Sequence, residues 1–408
     1  MTDVIALDVS MGRSNVAWYR NQTCCQELVF EHTQTGFEQL WEVVQAADQP
    51  VIYFEATGIY SRPVERFCRD HQLPFCRLNP LELHLKAESL RRVKTDRQDA
   101  RKIALTAQEN HFRLTIPRSP RYARLHELNR FFNQLDQDWR HRLNQLHSAL
   151  EQTFPELKQL FKNDTSKLAL NVVELFPHPD MVKPLSRTKL KNQLIKSTDK
   201  KLSQTKGFKY ADQLLELAQN SYPAATSDAI QVDEVRYYCR QLIELKLQRE
   251  KIVKQLVALA QQEPAFQSYV SIPGIGAQTA AQLMAELGDI TRFENANQLN
   301  AYIGIDIKRY KSGQGGQQDH INKRGNPIAR KLVYFAVGNM IRQQHHAPCH
   351  IVDHYYHLKE KRPYPKRNKV AMVACMDKTL KCLLAIVKHH DQYQYRYADS
   401  KSLITSED

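Results

Sequence analysis

The chain has 408 residues, 42% of them hydrophobic, and its 58 Lys and Arg against 44 Asp and Glu leave a formal charge of +14. That length exceeds one ordinary core and predicts two or three domains. The positive balance favours a polyanion, nucleic acid first, over an acidic small molecule. No apolar run reaches spanning length and no signal-peptide pattern opens the chain, so the expectation is a cytosolic protein with no membrane partner. Eight cysteines without a CxxC pair read as reduced thiols, not as a disulfide frame or zinc ribbon.

The runs Val4 to Leu7, Asn15 to Tyr19, Glu27 to Phe30 and Val51 to Phe54 read as strands. Helical patterns at Phe37 to Ala47 and Arg62 to His71, a short strand at Phe75 to Leu78 and a helix at Arg97 to Gln108 complete an α/β domain, punctuated by Pro117 and Pro120. From Tyr122 to Pro155, leucines and aromatics recur three or four apart and predict one long amphipathic helix. The Lys- and Ser-rich stretch around Lys183 to Lys209 carries no strong signal. A second long helix is predicted from Val232 to Gln262, with Val235, Tyr238, Leu242, Leu245, Ile252, Leu256 and Leu259 on a heptad grid. That grid fits a self-associating coiled coil or helix packing inside one subunit.

After Pro264, Ser271-Ile272-Pro273-Gly274-Ile275-Gly276 leads into a helix from Ala277 to Leu287, the pattern of a helix-hairpin-helix element. Gly274 and Gly276 would let backbone N–H groups approach a phosphate, or would simply form a tight turn. Tyr302-Ile303-Gly304-Ile305-Asp306, the glycine-rich stretch Tyr310 to Gly316 and Asn322-Lys323-Arg324-Gly325-Asn326 follow, and Pro327 starts a helix to about Gln343. His346, His350, His354 and His357 with Cys349 read as a solvated face, not a metal site. Lys359 to Lys369 is a basic tract suited to phosphate or solvent.

Asp8 and Glu55 each terminate an apolar run, and strand ends in α/β folds are where ligands bind. Asp96 and Asp99, in Lys94-Thr95-Asp96-Arg97-Gln98-Asp99-Ala100, are three apart and share a helix face. Four such carboxylates suit Mg²⁺ or Mn²⁺ and two-metal chemistry on a phosphodiester. Ser312 lies between Lys311 and a glycine-rich loop, with Arg309, Lys323 and Arg324 nearby in sequence to neutralise a phosphate. From chemistry alone it reads as a loop residue and becomes a nucleophile only if a base or metal takes its proton.

Leu7-Asp8-Val9-Ser10, Phe54-Glu55-Ala56-Thr57-Gly58, Lys94 to Ala100, Pro273 to Gly276, Tyr310-Lys311-Ser312-Gly313 and Lys323-Arg324-Gly325 together resemble the DEDD-type insertion-sequence transposases, the group of the Piv invertase and the bridge-RNA-guided serine recombinases. The resemblance runs nearly the whole chain. It implies a RuvC-like (RNase H-like) α/β catalytic domain at 1–120, a helical coiled-coil region at 121–262 and a mainly helical transposase domain with the helix-hairpin-helix at 263–345, before a basic extension at 346–408. It further implies metal on Asp8, Glu55, Asp96 and Asp99, and Ser312 as the nucleophile of a covalent phosphoserine link to DNA. Strand exchange would pass through a Holliday-junction-like intermediate in a dimer or tetramer, with a structured guide RNA and a place in the bacterial nucleoid. Members often carry proline where Ile307 stands here, a departure at the entry to the serine loop. Two other readings stand beside a transposase or recombinase: a metal-dependent junction nuclease or resolvase with Ser312 structural, and a non-catalytic nucleic-acid-binding protein.

Overall fold

In the computed structural model, which describes residues 3–80, 83, 86, 96–198, 201–310, 318–360 and 363–395, the chain divides into two units, Met1–Pro117 and Arg118–Asp408. The apolar runs of the first unit become a five-stranded sheet of β1 (Val4–Val9), β2 (Arg13–Arg20), β3 (Thr23–Glu31), β4 (Val51–Glu55) and β5 (Phe75–Leu78). The order is β3-β2-β1-β4-β5, with β1 antiparallel to β2, β2 antiparallel to β3, and β1, β4 and β5 parallel. The β2–β3 hairpin turns through Asn21 and Gln22, both at positive φ, the geometry that matches the twist of the flanking strands.

Alternation gives the sheet two buried faces. Ile5, Leu7, Ile52 and Phe54 pack with Leu40 and Val44 of α1 (Gln34–Ala46) and with Val64 and Phe67 of α2 (Arg62–Asp70). Val4, Ala6 and Ala17 face the other way, onto Ala100, Ile103 and Ala104 of α3 (Asp96–Glu109). The apolar alternation that makes these strands also fixes their register, because a one-residue slip would bring every side chain to the wrong face.

The second unit is built on two antiparallel helices, α4 (Pro120–Thr153) and α8 (Ile230–Ala260). Ion pairs Arg121–Glu263 at 2.8 Å and Asp136–Arg249 at 2.6 Å mark their register. The heptad residues Val235, Leu242, Ile252 and Leu256 are buried along this pair within the same chain. At one end, α5 (Lys167–Leu175), α6 (Arg187–Lys196) and α7 (Gln204–Asn220) close a core around Phe154, Leu170, Leu190 and Leu214. The Lys- and Ser-rich stretch thus contributes two helices, anchored by Leu190, Leu194, Ala211 and Leu214 while its charged residues face outward.

At the other end, Leu125, Phe132 and Leu256 join a larger core with α9 (Phe266–Ser271), α10 (Ala277–Leu287), α11 (Ala296–Ile303), α12 (Pro327–Arg342), α13 (His350–Glu360) and α14 (Asn368–Lys388). Residues beyond 345 are integral to it: Cys349, Ile351, Cys375 and Leu380 are fully buried. The short antiparallel strands β6 (Ile307–Tyr310) and β7 (Gln318–Ile321) project from this core and are joined by residues 311–317, which lie outside the described ones. No helix among the described residues is long and apolar enough to cross a membrane.

Asp3 ties the sheet together at the start of β1. Its carboxylate is 1% exposed and accepts from Trp18 Nε1 at 3.0 Å, Arg20 Nη2 at 2.7 Å and the Asp48 N–H at 2.9 Å. The Arg20 guanidinium holds its pKa below the usual 3.8, against the opposing effect of burial. An unfolded chain therefore takes up that proton first as pH falls, so the stabilisation is complete above about pH 4 and is lost through the lower folded pKa. Asp3→Ala should cost about 2–3 kcal/mol in urea unfolding at pH 7, with wild type and variant converging towards pH 2.

Candidate active site

Asp8 and Glu55 lie one step beyond the Leu7–Phe54 pair of the parallel β1–β4 ladder, at the carboxyl ends of adjacent strands. Asp8 follows Val4 and Ala6 onto the face that α3 covers, and Glu55 follows Tyr53 onto the same face. Both are partly buried. The third described carboxylate, Asp99, is partly buried in the first turn of α3, one residue before the fully packed Ala100. Asp96 begins that helix, and its side chain lies outside the described residues. The fold therefore brings Asp8, Glu55 and the helix bearing Asp99 to one face of one sheet. Among the described residues, no three His, Cys, Asp or Glu side chains gather closely enough to hold a metal ion.

The chemistry of this end is oxygen-rich. Beyond Glu55 the Thr57 N–H donates to the Glu55 carbonyl at 2.9 Å, and the Thr57 hydroxyl is buried with no hydrogen-bond partner among the described residues. Carboxylates with an unsatisfied hydroxyl are a hard-oxygen donor set, which fits Mg²⁺ or Mn²⁺ better than a soft metal. Sequence reasoning passed over Thr57, although its place two residues after a strand-end acid was a usable signal.

In the second unit, Ser312 and Lys311 lie outside the described residues, and Arg309 is described in its backbone alone, paired with Asp319 across the β6–β7 ladder. The base of that hairpin is tightly specified. Gly304, at φ +73°, and Gly325 approach so closely that a Cβ on Gly325 would stand 2.3 Å from the Gly304 nitrogen. The Lys323 N–H donates to the Gly304 carbonyl at 2.9 Å, and Lys323 itself takes φ +59°, a conformation an L residue keeps only when its surroundings impose it. Lys323 and Arg324 are exposed on this fixed base.

Asn326 then caps α12 through its side-chain oxygen and gives its amide Nδ2 to Glu286 at 2.7 Å. Glu286 is a fully buried carboxylate that also accepts from Asn129 Nδ2 at 2.8 Å and Arg130 Nη2 at 2.9 Å. His126 beside it is kept neutral: burial, with help from Arg118, lowers its pKa to about 4. No sequence signal marked Glu286 or Asn326 as a pair, since their partners come from α4 and from the far side of the hairpin.

The two glycines of the PGIG turn differ. Gly274, at φ +83°, packs on α12, and a Cβ there would meet Met340 Cγ at 2.7 Å and the Ala336 carbonyl at 2.9 Å. Gly276 begins α10 with no side-chain cap and open space where a Cβ would go, in a surface depression shared with Arg342, Gln343 and His346.

Comparison with known proteins follows this division. The model of the Transposase IS116/IS110/IS902 family matches residues 269–350, and a DEDD transposase model of IS110 type matches residues 5–155. The chain belongs to the IS110-type transposase family. The transposase for insertion sequence element IS1111A of Coxiella burnetii is 35% identical over 89 residues, 22% of this chain and 24% of that protein. The pilin gene-inverting protein of Moraxella bovis is 22% identical over 314 residues, 76% of this chain and 73% of its own length. The insertion element IS110 43.6 kDa protein of Streptomyces coelicolor is 30% identical over 89 residues, 22% of each chain. The first and third matches thus span under a quarter of the relatives concerned, whereas the invertase match covers about three quarters of each chain. The matched blocks are the ones that hold the acidic face and the hairpin base.

The glycine contrast is testable. Gly274→Ala should destabilise the protein by about 2–4 kcal/mol in chemical unfolding, because it combines a strained φ with backbone overlap. Gly276→Ala should cost less than about 1 kcal/mol, the ordinary penalty at a helix start.

Proposed function

We propose that this protein cleaves and rejoins DNA strands as the transposase or recombinase of an insertion sequence, using the Asp8, Glu55, Asp96 and Asp99 face together with Ser312. The observation that carries this reading is the placement of Asp8 and Glu55 at adjacent parallel strand ends, facing the helix that bears Asp96 and Asp99. The order of the two family matches supports it.

Asp8, Glu55, Asp96 and Asp99 would hold Mg²⁺ or Mn²⁺, which when bound would supply positive charge to the oxygens of a scissile phosphodiester. The Ser312 hydroxyl attacks the phosphorus and forms a phosphoserine ester. Its proton passes to solvent or a neighbouring base, and the departing deoxyribose oxygen gains one. Rejoining reverses the exchange, with a new DNA hydroxyl displacing the serine oxygen, so that no external energy source is needed. Arg309, Lys311, Lys323 and Arg324 neutralise the phosphate, and Lys323 and Arg324 do so from a rigid hairpin base. Gly274 shapes the PGIG turn, and Gly276, with the exposed start of α10 and Arg342 beside it, meets the DNA backbone. A formal charge of +14 supports nucleic acid as the partner. A structured guide RNA, a dimeric or tetrameric assembly that joins the acidic face of one subunit to the serine loop of another, a RuvC-like fold for the first unit and a nucleoid location in a bacterial cytoplasm complete the proposal.

The test is strand joining on paired DNA sites with Mg²⁺ present. Ser312→Ala and Asp8→Ala should each reduce joining by at least about a thousandfold while leaving DNA binding intact. An unreduced rate in Ser312→Ala would refute the serine mechanism.

A further inference from the structure

The Lys- and Ser-rich stretch carries more than half of the chain's net charge. Between 183 and 209 stand nine Lys and Arg against one acid, in a chain whose total is +14. The fold makes of it an antiparallel pair, α6 and α7, anchored on Leu190, Leu194, Ala211 and Leu214 and drawn together at Gly207, where a Cβ would meet Lys191 Cγ at 3.0 Å. Helical phase then decides where the cations go. Lys189 and Lys196 stand two turns apart on α6, about 10 Å by helical rise, on the side away from Leu190 and Leu194. Lys206 and Lys209 are neighbours on α7, away from Ala211 and Leu214. All four are exposed, and among the described residues no hydrogen bond or ion pair reaches their ammonium groups.

Other cations of this unit are matched: Arg121, Arg240 and Arg249 pair with Glu263, Glu174 and Asp136. Within the helix pair, Arg187 is held by Asp212 and lies over the Phe208 ring at 4.4 Å, with Lys191 Nζ over the same ring at 4.8 Å. The four remaining lysines have only one another, and like charges one turn apart destabilise a helix, so a polyanion laid across them relieves that repulsion. Its kind follows from the rest of the face. Phe208 is half-buried beneath two cations and offers an unpaired base no open ring to stack on. Ammonium groups beside the exposed Thr188, Asn192 and Gln193 are donors suited to backbone phosphates.

We infer that α6 and α7 form a second nucleic-acid surface, which grips the phosphate backbone of duplex DNA without reading its sequence. It lies at the far end of the α4–α8 pair from the β6–β7 hairpin. Leu150, in the core beneath α6 and α7, and Leu125, in the core from which the hairpin projects, are about 37 Å apart along α4. That is about one turn of B-DNA, so a duplex touching both surfaces has roughly ten base pairs or more between them. The inference rests on the DNA reading above for the choice of DNA over RNA, and adds a sequence-independent grip on flanking DNA to it.

The experiment is fluorescence anisotropy of the full chain on labelled DNA duplexes of about 40 base pairs, in two unrelated sequences, over roughly 50 to 300 mM KCl. The slope of log Kd against log salt counts phosphate contacts at about 0.9 each. Lys189→Gln with Lys196→Gln, and Lys206→Gln with Lys209→Gln, are exposed changes compatible with folding, and each pair should lower that slope by about two, equally on both sequences. Lys251→Gln with Lys254→Gln, an exposed pair on α8 at the spacing of Lys206 and Lys209, should leave it unchanged. An unchanged slope in either the α6 or the α7 variant, or an equal fall in the α8 variant, would overturn the proposal. A fall confined to one sequence would overturn recognition of the backbone. Variants that weaken binding of an RNA duplex and leave the DNA slope as it was would overturn DNA as the partner. Strand joining by a protein whose slope ignores these lysines would remove this surface alone, and a lysine-dependent slope in a protein that joins no DNA would uphold the surface and remove the joining reaction.

Discussion

A carboxylate with no exposure to water organises the larger unit. Glu286 takes hydrogen bonds from Asn129, Arg130 and Asn326, and so fastens α10 to the long helix α4 and to the first turn of α12. A buried charge survives only when several donors meet it, which makes this junction intolerant of alternatives. From Asn326 the constraint passes along the chain to the Gly304–Gly325 contact and the strained Lys323. The base of the β6–β7 hairpin is therefore held through Asn326 by a buried ionic network. For the proposed transesterification such rigidity would have a direct value, since a nucleophile contributes most when the elements carrying it do not have to be ordered during the reaction.

The smaller unit reaches precision by a different route. Its parallel strands are covered on both faces, so alternation alone decides that Asp8 and Glu55 emerge on the side of α3 while Leu7 and Phe54 face α1 and α2. Asp3 secures the opposite end of β1 through Trp18, Arg20 and the Asp48 N–H. One end of the central strand is fixed by this carboxylate, and Asp8 stands near the other.

These features differ in how far they could be read from the amino-acid order. Asp8 and Glu55 were legible because they close apolar runs, and the long helices α4 and α8 because their apolar residues recur on one stripe. The partner of the α8 grid was not legible, since a heptad pattern is the same whether its mate is α4 or a second chain. The hairpin at Asn21 and Gln22 lacks the glycine that usually marks such a turn. Helices α6 and α7 were masked by lysine and serine, because a few buried leucines and alanines suffice to anchor a surface helix. Gly274 and Gly276 looked alike in sequence, and the space around each separates them. Glu286 was beyond sequence reasoning because Asn129 and Arg130 reach it from a helix more than 150 residues away.

The central claim, that Ser312 joins covalently to DNA, is tested most directly by mixing the protein with labelled substrate and Mg²⁺, quenching in denaturant, and sequencing the DNA-linked peptide by mass spectrometry. The account predicts a phosphodeoxynucleotide on Ser312 that is absent in Ser312→Ala. Cleaved DNA carrying no attached protein would contradict it and point to hydrolysis by activated water.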